Sequence, residues 1–172
     1  MQIRKCTQAD IVATGAFYDK VVEYLLSHTN YPKWTKEYPS ESWVWTMSQD
    51  ESQYICVEDG NVIGAFVFNT DPQGSYYKVK WGKTIPEREY MILHTLAIDP
   101  ELQGKGLGSE VVKFCLEEAK TRGYKAVRVD VVPGNLPAAR LYEKNGFTYV
   151  GDADLDRGID YIPVFQMYEY NF

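Results

Sequence analysis

The sequence predicts an α+β or mixed α/β sandwich, with helices on both faces of one sheet. Two observations support this fold class. Strands in the first half of the chain are paired as a hairpin, whereas strands in the second half alternate with amphipathic helices. The length of 172 residues favours a single domain over residues 1–172, and an apolar content of 45% is sufficient for a hydrophobic core.

The first quarter of the chain predicts one strand and two helices. Residues 2–6 have the composition of a short strand. Thr7 and Asp10 have the spacing of a capping box, and apolar residues then recur at helical intervals to about Ser27. A second, short helix is expected to start at Ser40.

A hairpin follows, and then a segment without clear periodicity. The step Asp59-Gly60 between two β-rich stretches predicts that residues 54–57 pair with residues 62–68. Residues from about 70 to 88 fit a long loop, with a strand fragment expected at 76–81.

The second half predicts strands that alternate with two helices. One helix starts near Gly106 and stops before Gly123, and the other runs from Asn135 to the step Asn145-Gly146. The strands are expected at Tyr90–Ile98, 126–132, 147–150 and 164–170.

Composition and charge narrow the functional classes. The net charge of −6 argues against a general nucleic-acid binder, because such proteins normally present a basic face. Three widely spaced cysteines without a CxxC pair, and only two histidines, argue against a disulfide framework and a metal site. No apolar run has the length of a signal peptide core or a membrane span. We therefore expect a cytoplasmic protein that uses no metal and binds neither nucleic acid nor membrane.

The stretch ELQGKGLGSE, residues 101–110, places three glycines at alternate positions where a buried strand meets a helix. The first amides of a helix have no internal partner and carry the positive end of its dipole. Glycines let such amides approach a bulky anion, so the stretch predicts a phosphate or diphosphate site with Lys105 at its rim. Its spacing is neither GxxxxGK[ST] nor GxGxxG. A tight turn also needs glycine for steric reasons alone, so both interpretations stay open at this point.

Two motifs together resemble the GCN5-related N-acetyltransferases (GNAT). The first is Gln103-x-x-Gly106-x-Gly108. The second is NLPAARLYEKNGF, from Asn135 to Phe147, which is similar to the family's closing motif N-x-x-A-x-x-L-Y-x-x-x-G-F at every defined position. The two motifs stand in the family's order. The resemblance covers about residues 90–150, whereas the first ninety residues are only compatible with it.

The resemblance implies a three-layer α/β/α sandwich around a mostly antiparallel mixed sheet, with acetyl-CoA as co-substrate. It places the backbone of Leu96, Ala97 and Ile98 along the pantetheine arm, with amides of this strand polarising the thioester carbonyl. Asn135 matches an asparagine that hydrogen-bonds the same arm, although it also fits a plain helix N-cap, and the two roles are compatible. The diphosphate would be held in the turn formed by Gln103, Gly104, Lys105, Gly106, Leu107, Gly108 and Ser109.

The resemblance also suggests two catalytic residues. Tyr142 occupies the position of the family's general acid, which returns a proton to the leaving thiolate. His94 lies in the run LHTLAI, which is similar to the stretch of arylalkylamine N-acetyltransferases in which a histidine helps to remove the amine proton, through water. That group has a second histidine two residues earlier, where this chain has Ile92. A packing role for Tyr142 and a buried structural role for His94 are the alternatives.

The implied activity is the transfer of an acetyl group to a primary amine by direct attack on the thioester. The acceptor is expected to be a small molecule, with a protein N-terminus or lysine as the alternative. Aromatic residues at positions 31–43 lie where the family commonly binds its acceptor, and a homodimer is common in the family. Two other classes stay open, namely a non-catalytic acyl-CoA sensor and a module that binds a different nucleotide diphosphate.

Overall fold

This computed structural model describes residues 1–172 and contains seven strands and four α-helices. The strands are β1 (Gln2–Lys5), β2 (Gln53–Glu58), β3 (Asn61–Asn69), β4 (Tyr90–Ile98), β5 (Ala126–Val131), β6 (Thr148–Ala153) and β7 (Phe165–Asn171). The helices are α1 (Ile11–Ser27), α2 (Glu41–Gln49), α3 (Leu107–Thr121) and α4 (Leu136–Lys144).

The seven strands form one sheet in the order β1-β2-β3-β4-β5-β7-β6. The pairs β1–β2, β2–β3, β5–β7 and β6–β7 are antiparallel. The pair β4–β5 is parallel and includes Tyr90 opposite Ala126 and Ile92 opposite Arg128. The expected α+β class, with a mixed and mostly antiparallel sheet, is confirmed.

By the clustering of its contacts, the chain divides into two compact units. Unit 1 comprises Met1–Phe68 and His94–Val111, and unit 2 comprises Asn69–Leu93 and Val112–Phe172. None of the helices combines the length and the apolar character that crossing a membrane requires.

Unit 1 is built on a core shared by α1, α2 and the strands. Its buried side chains include Phe17 and Tyr18 of α1, Val44 of α2, Ile55 of β2 and Ala97 of β4. Helical periodicity placed the α1 residues on one face, and burying that face against the strands is what stabilises the helix.

Local signals set the starts and turns of unit 1 as predicted. The Thr7–Asp10 capping box forms, with the Thr7 amide donating to Asp10 Oδ2 at 2.8 Å, just before α1 begins. In the hairpin, Asp59 and Gly60 have φ of 49° and 79°, the left-handed conformation that a two-residue hairpin turn needs.

Unit 2 has a core in which irregular segments contribute as much as strands. Tyr76, Leu155 and Ile162 come from connections between strands, and they pack with Ile92 of β4 and Met167 of β7. Two long connections, residues 70–89 and 154–164, therefore form part of the packed interior of this unit.

The strand fragment expected at 76–81 is wrong. Tyr76–Lys78 form a 3-10 turn. The Val79 amide donates to the Tyr76 carbonyl at 3.2 Å, and Trp81 Nε1 donates to the same carbonyl at 2.9 Å. Because these local hydrogen bonds satisfy the backbone, the segment does not need a neighbouring strand.

Candidate functional site

The segment that joins β4 to α3 forms a tight turn within unit 1. Asp99 ends the strand, and its side chain caps the short 3-10 helix Pro100–Leu102 by accepting from the Glu101 amide at 3.0 Å. The Leu102 amide then donates to the Asp99 carbonyl at 2.9 Å. The predicted end of this strand at Ile98 is therefore confirmed.

Two of the three glycines in residues 101–110 are required by the shape of this turn. Gly104 and Gly106 have φ of 80° and 85°, where side chains are strongly disfavoured. A Cβ built on either residue would meet no atom within 4 Å, so conformation rather than crowding selects glycine here. The space in front of the turn is open, as a bulky ligand would need.

The turn leads directly into the N-terminus of α3, a helix of 15 residues. The Glu110 amide donates to the Gly106 carbonyl at 3.1 Å and closes the first helical turn. The amides before this bond lie at the positive end of the helix dipole. Glu110 also stands in this turn, so the attraction for an anion comes from backbone amides and the exposed Lys105. These groups fit a diphosphate.

Helix α1 anchors the start of the turn. Lys20 Nζ lies 2.8 Å and 3.1 Å from the two carboxylate oxygens of Asp99. Burial raises the pKa of the Asp99 carboxyl, but the hydrogen bonds from Lys20 and the Glu101 amide outweigh it, so the pKa is lowered. Asp99 therefore stays ionised and holds the end of β4 in place.

Strand β4 carries the residues assigned to the pantetheine arm and the candidate base. His94 is buried, at 8% exposed, and Leu96 and Ile98 are half-buried. Thr95 has φ of 47°, which interrupts the regular alternation of the strand. Regular alternation would place His94 and Ile98 on the same face of the strand, but Thr95 interrupts it between them.

Sequence reasoning missed Thr95 and its partner Tyr18. Threonine is β-branched and gives no local sign of a positive φ. Tyr18 stands at one of the apolar positions of α1, but its hydroxyl donates to the Thr95 carbonyl at 3.0 Å. No spacing in the sequence relates two residues so far apart in the chain.

Helix α4 carries the second motif within unit 2. Asn135 Oδ1 accepts from the Ala138 amide at 3.2 Å, which confirms the N-cap role. Tyr142 is buried on this helix, with its ring centroid 5.4 Å from that of Phe147 and 6.5 Å from that of Tyr168. Burial raises the pKa of the Tyr142 phenol well above its usual value, with further contributions from Cys115 and Asp130.

The structure thus gathers the predicted site residues into two groups. In unit 1, one continuous segment holds His94, the strand residues 96–98 and the turn residues 103–109. In unit 2, α4 and its cap hold Asn135 and Tyr142. No cluster of three or more His, Cys, Asp or Glu side chains has the arrangement of a metal site.

The aromatic residues suggested for the acceptor side have different environments within unit 1. Trp34 packs on Tyr18, with ring centroids 6.1 Å apart, and so borders the core. Tyr38 is partly exposed and lies edge-on to Trp43, at 5.2 Å. Tyr31 is exposed to the same extent as Tyr38, so both rings, unlike that of Trp34, are accessible to a ligand.

Comparison with known proteins adds independent information. The sequence profile described as "Acetyltransferase (GNAT) family" matches residues 20–147. An uncharacterised N-acetyltransferase of Methanocaldococcus jannaschii is 28% identical over 116 residues, which are 67% of this chain and 46% of that protein. The chain therefore spans less than half the length of this relative.

One further relative and one solved structure cover more of both chains. The spermine/spermidine N(1)-acetyltransferase of Bacillus subtilis is 28% identical over 123 residues, which are 64% of this chain and 78% of that protein. A structure assigned as an acetyltransferase from Salmonella typhimurium, with its cofactor acetyl-CoA, aligns with a TM-score of 0.71 at 19% identity. The alignment covers 99% of this chain and 93% of that one, so the two share a fold.

Proposed function

Because this chain belongs to the acetyltransferase (GNAT) family, we propose that it transfers the acetyl group of acetyl-CoA to a primary amine of a small molecule. By its name, the spermine/spermidine N(1)-acetyltransferase of Bacillus subtilis acetylates small amines. The Salmonella typhimurium structure, which shares the fold, was solved with acetyl-CoA. Both support the proposal for this chain.

The observation that carries the proposal is the turn between β4 and α3. It combines two glycines at positive φ, open space in front of them and the N-terminus of a 15-residue helix. Backbone amides at such a place bind phosphate groups. We assign the turn residues 103–109 to the diphosphate of acetyl-CoA, with Lys105 at the rim.

The remaining donor contacts follow from the strand and from α4. The backbone of residues 96–98 is assigned to the pantetheine arm, with its amides available to the thioester carbonyl. Asn135 is assigned to the same arm, in addition to its N-cap role. Bound acetyl-CoA supplies an activated acyl group and a thiol leaving group, and this chain supplies orientation and proton transfer.

Tyr142 is proposed as the proton donor to the leaving sulfur. Its raised pKa keeps the phenol protonated at neutral pH, which a donor requires. The same burial makes the phenol a weaker acid than a thiol, whose pKa is about 8.5, so it opposes proton transfer to the leaving sulfur.

His94 is proposed as the base that accepts the amine proton, through a water molecule. His94 lies on β4 two residues before Leu96, and its burial limits contact with solvent. The pH–rate profile of His94→Gln tests this role, and we expect it to lose its acidic limb. An unchanged profile would assign the base to water or to another residue.

The acceptor is proposed to be a small cationic amine. A net charge of −6 favours the approach of a cation, and the partly exposed Tyr38–Trp43 pair offers ring faces to an ammonium group. A protein amino group stays the alternative. The three cysteines are free and buried, which is compatible with the expected cytoplasmic setting.

The test measures binding and turnover of the same preparation. Calorimetry with coenzyme A, ADP and AMP should show tightest binding to coenzyme A. Thiol release from acetyl-CoA, with a panel of polyamines, amino acids and a peptide, should identify an accepted amine. Tight coenzyme A binding without release would indicate a sensor, and preference for ADP would indicate a different nucleotide site.

A further inference from the structure

Thr95 adopts an unfavourable backbone conformation in the middle of β4. Its φ of 47° lies in the left-handed region, which β-branched residues strongly avoid. Such a residue persists only where surrounding contacts hold it, and such residues cluster at functional sites. Within unit 1, Thr95 stands directly before Leu96, the first residue assigned to the pantetheine arm.

A buried hydroxyl of α1 holds this residue. Tyr18 is fully buried, and its hydroxyl donates to the Thr95 carbonyl at 3.0 Å and lies 3.5 Å from Thr95 Oγ1. The Tyr18 ring is fixed by Phe17 and Trp34, whose centroids lie 5.7 Å and 6.1 Å away. The position of the hydroxyl is therefore set by the core and not by solvent.

The same helix holds the other end of the segment. Lys20 pairs with Asp99 four residues beyond Thr95. Helix α1 therefore contacts both ends of the segment from Thr95 to Asp99. The Tyr18 hydroxyl contacts one end and the Lys20 ammonium group contacts the other. The residues between these two contacts are the three assigned to the pantetheine arm.

Because the peptide group is planar, the hydrogen bond from Tyr18 to the Thr95 carbonyl also sets the direction of the Leu96 N–H. The carbonyl of Thr95 and the N–H of Leu96 belong to one trans peptide, so they point in opposite directions. Fixing the carbonyl oxygen on the Tyr18 hydroxyl fixes the Leu96 N–H on the opposite side. A hydrogen bond to the oxygen also polarises the peptide and strengthens the N–H as a donor.

We propose that Tyr18 is a positioning residue for acetyl transfer, which holds the Thr95–Leu96 peptide so that the Leu96 N–H donates to the thioester carbonyl. The inference rests on the proposed function, in which amides of this strand meet that carbonyl. It adds a residue outside both motifs, located on the first helix of the chain.

The test compares Tyr18→Phe with a matched variant, Tyr76→Phe. Tyr76 is also buried, at 1% exposed, and its hydroxyl donates to Asp130 at 2.7 Å within unit 2. We expect Tyr18→Phe to lower kcat by at least about tenfold, because donors to a developing oxyanion are worth about 10²–10³ in rate and this one is misaligned rather than removed. The Kd for coenzyme A should change by less than about twofold, because the turn amides hold the diphosphate.

Tyr76→Phe should leave kcat within about twofold of the wild type, even where it lowers Tm as much as Tyr18→Phe does. Equal kcat losses in the two variants, or an unchanged kcat in Tyr18→Phe, would overturn the proposal. A purely structural role would instead lower Tm and coenzyme A affinity together.

A readout that does not need activity separates this proposal from the proposed function. The amide chemical shift of Leu96 should change in Tyr18→Phe, because the polarising hydrogen bond to its own peptide carbonyl is lost, while the shifts of the α3 amides stay the same. If no amine is acetylated, the proposed function fails, and the Leu96 shift still decides whether Tyr18 holds this peptide. An unchanged shift at Leu96 would overturn the positioning role whatever the activity.

Discussion

The two units place their candidate groups by different means. From β4 to the start of α3, unit 1 has three residues at positive φ, namely Thr95, Gly104 and Gly106. This segment is held by the Tyr18 hydroxyl on the Thr95 carbonyl and by the Lys20–Asp99 ion pair. Unit 2 holds its long connections with buried charges and aromatic rings.

Arg128 is the most deeply buried charged residue of unit 2. It is 1% exposed, and its guanidinium carbon lies 4.0 Å from the ring centroids of both Trp81 and Tyr90. Its Nε is 3.9 Å from a carboxylate oxygen of Glu169, too far for a hydrogen bond but close enough for a strong charge interaction. Arg128 NH2 also donates to the Lys83 carbonyl at 3.2 Å.

A second, partly buried ion pair ties the other connection to β5. Arg157 donates to both carboxylate oxygens of Asp130, at 2.8 Å and 2.7 Å, and also to the carbonyls of Gln73 and Pro72. Tyr76 donates to the same carboxylate. Residues 70–89 and 154–164 lack strands, so side chains supply the fixed partners that a sheet ladder supplies elsewhere.

This difference predicts which kind of substitution destabilises each unit most. The segment of unit 1 from β4 to the start of α3 depends on backbone conformations, so changes of φ preference should disturb it most. Unit 2 depends on buried charges and rings, so removal of a side chain should disturb it most. Four substitutions test this difference between the units.

The largest effect is expected from Arg128→Met. It leaves Glu169 as an unpaired buried charge, which should lower the free energy of unfolding by about 3–5 kcal/mol. Urea denaturation of the variant and the wild type measures the loss. Lys125→Met removes a cation of the same unit from an exposed pair with Glu89 and should have little effect.

Adding Glu169→Gln to Arg128→Met should recover part of the lost stability, because the unpaired charge is then gone. A loss in Arg128→Met no larger than that in Lys125→Met would contradict the role of buried charge in unit 2.

Tyr142→Phe should lower kcat about a hundredfold, the lower range for loss of a general acid, with coenzyme A affinity within about twofold. Steady-state thiol release and calorimetry measure the two quantities. Tyr168→Phe, a buried neighbour in the same unit, serves as control and should keep its turnover. Full turnover in Tyr142→Phe would remove this phenol from the mechanism.

Gly106→Ala should weaken coenzyme A binding about tenfold, because alanine disfavours φ of 85° and distorts the turn. Gly60→Ala is the matched control, since Gly60 has φ of 79° in the hairpin and equally open surroundings. Both variants should lose about 1 kcal/mol of stability, but only Gly106→Ala should lose affinity in calorimetry. Equal affinities would place the diphosphate elsewhere.

Asp10→Asn is expected to have the smallest effect on stability. It tests whether the stability of unit 1 depends little on this ion pair. Hydrogen bonds from Arg4, and then from Thr7, hold the pKa of Asp10 well below its usual value against the opposing effect of burial. A lowered folded-state pKa stabilises the protein above the unfolded-state pKa of about 3.9, and this contribution is lost as the pH falls.

Asp10→Asn should therefore cost about 1 kcal/mol at neutral pH, including the capping box, and the difference from the wild type should shrink below about pH 4. Urea denaturation across this pH range checks it. A cost that approaches that of Arg128→Met would break the distinction between the units.

Patterns within a few residues determined most elements of this protein. The capping box at Thr7, the Asp59-Gly60 turn and the Asn135 cap all depend on residues within one turn of chain, and all three form as predicted. The glycine turn was predicted as well, because a positive φ in a strand-to-helix connection selects glycine. Motif order then identified the family.

Tertiary structure alone decided the rest. The Tyr18 hydroxyl meets the Thr95 carbonyl across 77 positions of sequence, and Arg157 meets the Gln73 carbonyl across 84. The strained φ of Thr95 and the pairing of Arg128 likewise depend on partners from other elements. Such contacts have no local signature, because they form only when chain folding brings distant groups into a dry interior where each polar atom needs a partner.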